Sequence, residues 1–302
     1  MDPNLHDLWA GLSDIVLAPE RFELGEGVTI SQTYAHFMAP FLMAFAPAQP
    51  GKPHPAPWKP AIGGFNIDIA AELFLPATCR VEQLDRLNLV WWIVALLRLR
   101  ATAALFAPVV SSERFSSIPA IQQEPHLWPM EIHTHRLMPE RTPNRRVDVA
   151  ELEWLKAHWR ESSALLANED FSVAFQAIDL SIWGSSSALA LLAVWGALER
   201  LFSPSKQELN FRVSANIAAY LEPPGRERHK CFKHVKALYD QRSRAAHGDS
   251  AGDMSPYVES FAIARRALLK VIETHHVPDK KGLEARLFGD EMGISSGTST
   301  VQ

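Results

Sequence analysis

Six segments of helical periodicity, separated by short breaks, fill the stretch from Asp148 to His276 and restrict that part of the chain to a helical bundle. Asp148 and Glu151 stand at capping-box spacing and predict a helix reaching about Leu166. Phe171, Phe175, Ile178 and Ile182 trace the apolar stripe of a second helix, stopped at Gly184. Ser185–Ser187 precede a third, ALALLAVWGALERLF, which is apolar nearly all round and is therefore expected at the centre. Ser205 and Glu208, following Pro204, start a fourth that runs to about Leu221 and is broken by Pro223, Pro224 and Gly225. A fifth covers Arg226 to Ala246, with Gly248 as its stop, and Ser255 before Pro256 opens a sixth, to about His276. Short connections between helices of these lengths imply antiparallel neighbours. The division expected is an α+β region over 1–147, the all-α bundle over 148–278, and a polar, disordered tail over 279–302.

The first region carries weaker signals. Phe22–Thr33 alternates apolar and polar residues around Gly25 and Gly27, which predicts a strand with a turn or bulge. The proline-rich run Pro47–Pro60 must be a loop; Ala61–Pro76 reads as a further strand and Val81–Leu105 as a long helix. Pro108–Arg146 shows no clean period, and Thr142–Arg146 reads as a linker. The most membrane-like stretch, Leu87–Val110, contains Arg98 and Arg100. A charge at bilayer depth costs at least ~2.5 kcal/mol, so the stretch reads as a buried amphipathic helix. Met1–Gly11 holds Asp2, His6 and Asp7 in place of an apolar signal core. With only Cys79 and Cys231, no disulfide framework is expected. The reading is a soluble, cytoplasmic protein without a membrane partner. Its net charge of −4 disfavours non-specific coating of nucleic acid but leaves room for a local basic site.

The fifth helix supplies such a site. Cys231, Phe232, Val235, Leu238, Tyr239 and Ala246 define its apolar face. At about 100° per residue Arg242 falls within that face, whereas Arg244 falls opposite, among Lys230 and Lys233. Arg244 is therefore expected in solvent, and Arg242 toward the bundle or a partner, where a guanidinium needs a counter-charge. His247 lies off the Arg242 face on an ideal wheel, but it precedes Gly248, where the chain can turn away and let the two side chains converge. Arg226–His247 carries seven Lys/Arg against Glu227 and Asp240, a net of +5. Arg228, Lys230, Lys233, Lys236 and Arg244 could follow an RNA backbone, or form the ordinary solvated face of an amphipathic helix.

The run ALYDQRSRAAHG (Ala237–Gly248), preceded by ALERLF (Ala197–Phe202) and FRVSANIAAYL (Phe211–Leu221), resembles the HEPN superfamily and, within it, the ApeA-like HEPN group. In such proteins a late helix of an all-α bundle ends in Arg, a polar residue, a short spacer, then His and often Gly. Here these are Arg242, Ser243, Arg244-Ala245-Ala246, His247 and Gly248. The resemblance covers about 150–276 and implies metal-independent RNA cleavage, with no cofactor, by a homodimer whose paired Arg–His sets complete one site. Arg242 and His247 would be catalytic, with Ser243, Glu199 and Arg212 in support. Glu199 either orients Arg242 or Arg212, or is an exposed helix carboxylate; Arg212 and Tyr239 read as structural. A toxin or defence effector with a protein regulator or trigger fits this reading. The competing reading is a non-catalytic HEPN domain that binds RNA or protein.

Other candidates are weaker. His133 and His135 lack the cysteine or carboxylate that would complete a zinc set, and His275–His276 point apart at a helix end. Gly63–Gly64 has no phosphate-loop context, and Ser181–Ser187 lacks the Gly-x-Ser-x-Gly of a nucleophile elbow. No metal site is expected.

Overall fold

Alternation in the N-terminal region produces an antiparallel sheet with one tightly specified hairpin. The computed structural model describes residues 2–39, 42–61, 65–132, 137–139, 144–203, 209–246 and 253–289. Its strands are β1 (Leu8–Ser13), β2 (Ile15–Leu17), β3 (Arg21–Gly25), β4 (Val28–Ala39), β5 (Leu42–Ala44), β6 (Trp58–Pro60), β7 (Phe65–Leu75), β8 (Phe106–Ser111), β9 (Leu127–Pro129) and β10 (Arg145–Val147). Six of them form one sheet in the order β3-β4-β7-β1-β8-β9, with antiparallel neighbours throughout. The strand and turn expected around Gly25 and Gly27 are the β3–β4 hairpin. Glu26 and Gly27 both have positive φ, 52° and 77°, as a two-residue hairpin turn of this twist requires. β1, absent from the sequence expectations, lies between β7 and β8. Gly11 on β1 is needed sterically, because a Cβ there would lie 2.7 Å from Ile69 Cδ1. Ile69, Val109 and Phe115 form a core cluster on which Trp9, Phe37 and Ile118 pack. Two small pairs complete the strand set, β5 with β6 and the parallel β2 with β10.

The helices are α1 (Arg86–Arg100), α2 (Val149–His158), α3 (Glu169–Ser181), α4 (Ser187–Phe202), α5 (Leu209–Leu221), α6 (Arg226–Ala246), α7 (Ser255–Thr274) and α8 (Lys280–Phe288). An antiparallel-sheet region thus precedes a helical C-terminal part. The two compact units interleave in sequence, however. The sheet unit takes 1–80, 105–132 and 143–152, and the helical unit takes 81–104, 133–142 and 153–302. Helix α1, which sequence order placed in the first region, belongs to the helical unit. Arg265 of α7 donates to the Leu99 and Arg100 carbonyls at 2.6 and 2.7 Å, and the Trp92 indole donates to the Trp159 carbonyl at 2.8 Å.

Several boundaries differ from expectation for local reasons. α1 starts at Arg86, not Val81, because Asp85 caps it by accepting from the Asn88 amide at 2.8 Å. It is buried nearly all round rather than amphipathic. α2 begins as the capping box predicts, with the Asp148 amide donating to Glu151 Oε2 at 2.7 Å, but stops at His158 instead of Leu166. The Ser162 and Ser163 hydroxyls donate to the His158 and Arg160 carbonyls, an alternative to helical pairing, and a 3-10 segment follows over Glu161–Ala167. The tail expected from 279 is helical through Phe288: Asp279 accepts from the Gly282 amide and Leu283 is buried. Residues 290–302 lie outside the described residues. α4 is central, as its composition implies, and touches α3, α5, α6 and α7. Among the described residues no helix is long and apolar enough to cross a membrane.

Candidate functional site

Two helix turns meet where α4 packs on α6. On α4, Trp195 and Glu199 are four residues apart and so share a face; on α6, Tyr239 and Arg242 do the same at a spacing of three. Val235, Leu238 and Tyr239 are buried and drive the packing of α6. The Trp195 ring meets Tyr239 edge-on with centroids 5.1 Å apart, and the Trp195 indole donates to Ser260 Oγ at 3.0 Å, which fixes it from the far side. Tyr239 in turn carries the Arg242 guanidinium over its ring, 5.6 Å from the centroid. Arg242 Nη2 lies 3.2 Å from Glu199 Oε1, and the side chains retain 27% and 21% exposure. Burial, followed by the Glu199 charge, pushes the Tyr239 phenol above its ordinary pKa, so it remains a neutral hydroxyl.

The pairing is incomplete. Arg242 Nε and Glu199 Oε1 are both buried yet make no hydrogen bond among the described residues. A guanidinium offers five N–H donors in a fixed fork. Here the charge is neutralised and oriented while donor capacity is left over. The part of the guanidinium that stays exposed, 27% of the side chain, can meet an anionic oxygen without losing its carboxylate support.

Of the residues singled out from sequence, Arg242 and Glu199 come together, and the alternatives left open for Glu199 resolve to the Arg242 pairing. Ser243 is half-buried beside Arg242. His247 and Gly248 lie outside the described residues; α6 is described to Ala246. Arg212 is on the exposed side of α5. Arg244, Lys233 and Lys236 are exposed, and Lys230 is paired with Glu227 at 2.7 Å. Arg228 is turned inward: Nε donates to the Glu222 carbonyl and Nη1 to the Arg286 carbonyl, both at 2.9 Å. It is a tie between α6 and α8 and not part of an open basic strip. His133 and His135 lie outside the described residues, and among those described no cluster of three or more His, Cys, Asp or Glu could hold a metal.

Sequence reasoning missed a second arginine–carboxylate pair. Arg98 Nη1 donates to Asp179 Oδ1 at 2.7 Å, the Trp91 indole donates to Asp179 Oδ2 at 2.9 Å, and the Arg98 guanidinium lies 5.5 Å from the centre of the Trp183 ring. The only local hint is a pair of arginines in an otherwise apolar run; Asp179, 81 residues away, gives none. In comparisons with known proteins, no family model, no curated protein and no solved structure matches the chain.

Proposed function

We propose that the helical unit is a HEPN-type, metal-independent endoribonuclease in which Arg242 clamps the scissile phosphate and His247 moves a proton. The observation that carries this reading is the half-open Arg242–Glu199 pair on Tyr239, whose guanidinium side chain keeps 27% exposure at the last turns of α6. The chemistry needs a base for the ribose 2′-hydroxyl, an acid for the leaving 5′-oxygen and positive charge on the phosphorane. Arg is permanently charged, and His titrates near neutrality. One chain contributes one such His at this position, so two copies related by a two-fold axis would supply both proton roles. Lys233, Lys236 and Arg244, exposed on α6, would follow the RNA backbone. A toxin or defence effector governed by a protein regulator or trigger is consistent with this reading, with the sheet unit as the sensing or restraining part.

The same ion pair favours a second reading. An Arg held by a carboxylate is also how a helix end is fixed structurally, which suits a non-catalytic HEPN domain that binds RNA or protein. The two readings separate on one experiment: cleavage of a mixed RNA pool in the presence of EDTA by the wild type, Arg242→Ala and His247→Ala. Cutting that survives chelation and is lost in both variants supports the nuclease. RNA left intact by the wild-type protein transfers the assignment to the binding module.

A further inference from the structure

The end of the helical unit opposite the Arg242 turn gathers positive charge around one tyrosine. Tyr220 closes α5, and its ring is contacted by two cations: Lys270 Nζ at 5.1 Å and the Arg286 guanidinium at 5.4 Å from the centroid. Lys270, on α7, donates to the Tyr220 carbonyl at 2.6 Å. Arg286, on α8, has only the tyrosine ring as a side-chain partner among the described residues. Arg228 adds a third cation, anchored on the Glu222 and Arg286 carbonyls, and Arg266 a fourth, paired with Glu222 at 2.5 Å. Glu222 is the one carboxylate paired within the group, while nearby Glu273 is engaged by the Trp154 indole at 2.9 Å. Burial, with Arg286, Arg266 and Arg228 against Glu222, lowers the pKa of Lys270 below the ordinary lysine range. The cluster therefore carries at least two positive charges beyond its internal pairing. Like charges held this close in a half-buried site repel one another unless an anion joins them.

We propose that Lys270, Arg286, Arg228 and Arg266 form a receptor for a terminal phosphate monoester, the end group of a nucleotide or of an RNA strand. The class follows from charge. A monoester dianion matches the excess charge, which a singly charged carboxylate does not. Recognition by side chains also removes the need for a glycine-rich phosphate loop, which the chain lacks. Arg228 and Arg242 are fourteen residues apart on α6, roughly 21 Å along its axis, so this receptor is separate from the Arg242 turn. The proposal stands whether or not that turn cleaves RNA.

The test uses the intact protein and 2′-O-methyl oligonucleotides, which cannot be cut at a 2′-hydroxyl, bearing either a 5′-phosphate or a 5′-hydroxyl. The 5′-phosphate form is expected to bind about tenfold more tightly, as two charge-assisted contacts imply. Arg286→Gln and Lys270→Gln should each abolish that preference, while Arg242→Gln keeps it. Inorganic phosphate, compared with chloride at equal ionic strength, should raise the melting temperature of the wild type and not of Arg286→Gln. Stabilisation by inorganic phosphate without an oligonucleotide preference identifies the source as a free phosphate; a preference without that stabilisation identifies an RNA end. Should Arg286→Gln lower the melting temperature by itself, the exposed Arg266→Gln gives the same comparison. Equal oligonucleotide binding with no phosphate-specific stabilisation overturns the proposal, as does a preference that persists in both Arg286→Gln and Lys270→Gln.

Discussion

Two arginine–carboxylate pairs of the helical unit, Arg98–Asp179 and Arg242–Glu199, differ in almost every physical respect. Arg98–Asp179 is closed: the side chains are 3% and 7% exposed, the contact is 2.7 Å, and both carboxylate oxygens accept hydrogen bonds. Arg242–Glu199 is open: the side chains are 27% and 21% exposed and 3.2 Å apart, and the contact lacks hydrogen-bond geometry. A charge pair deep in the core must satisfy itself internally, because its desolvation is recovered only by good geometry. A pair at the solvent boundary keeps part of its charge in contact with water and so needs less internal pairing. The first pair locks α1 against α3; the second leaves a cation available. Both sites pair an arginine with a carboxylate, and environment separates them.

The sharpest way to break this contrast is to remove the buried acid. Asp179→Ala strands Arg98 in the core and should cost about 3–5 kcal/mol in urea unfolding. Adding Arg98→Met should recover part of that loss, and no recovery would show that the pair is not the unit of stability. Arg242→Ala should do the reverse: on the proposed nuclease reading it lowers RNA cleavage by about a hundredfold or more, while changing stability by less than about 1 kcal/mol. A stability loss comparable to that of Asp179→Ala would make the second pair structural as well. Alkaline titration probes the closed end further. The Tyr257 hydroxyl lies 3.2 Å from Ser181 Oγ, and burial raises its pKa to about 12. A raised folded-state value means that its contribution is full below the unfolded pKa near 10 and declines as pH rises to about 12. Tyr257→Phe should remove up to about 2–3 kcal/mol of that decline between pH 10 and 12, measured by chemical denaturation. The smallest loss expected around the closed pair is that of Trp91→Phe, which deletes one hydrogen bond to Asp179 and should cost about 1–2 kcal/mol. A loss equal to that of Asp179→Ala would mean the indole, rather than Arg98, holds the carboxylate.

Periodicity and caps located the helices from α3 to α7 to within a few residues. The Asn168 and Ser186 side chains cap α3 and α4, and α6 runs from Arg226 to Ala246 as its pattern predicts. The glycines flanking Glu26 marked the β3–β4 turn. By contrast β1 went unread because LWAGLS is a short apolar run without alternation, as a strand central in a sheet can be. The helical wheel turned Arg242 inward and Arg244 outward, but it could not choose a partner for Glu199. It also drew Arg228 into a basic strip that the Glu222 and Arg286 carbonyls remove it from.

The sequence by itself determined where helices α3 to α7 and the hairpin form, and which side of α6 faces inward, because these depend on interactions within a turn or two of the chain. Tertiary structure decided which charges meet. Asp179 finds Arg98 across 81 residues, Tyr220 gathers Lys270 and Arg286, and α1 joins the helical unit instead of the sheet unit that precedes it in sequence. Such choices rest on burial and long-range packing, which fix the dielectric and the available partners around each side chain and leave no periodic trace in the local sequence.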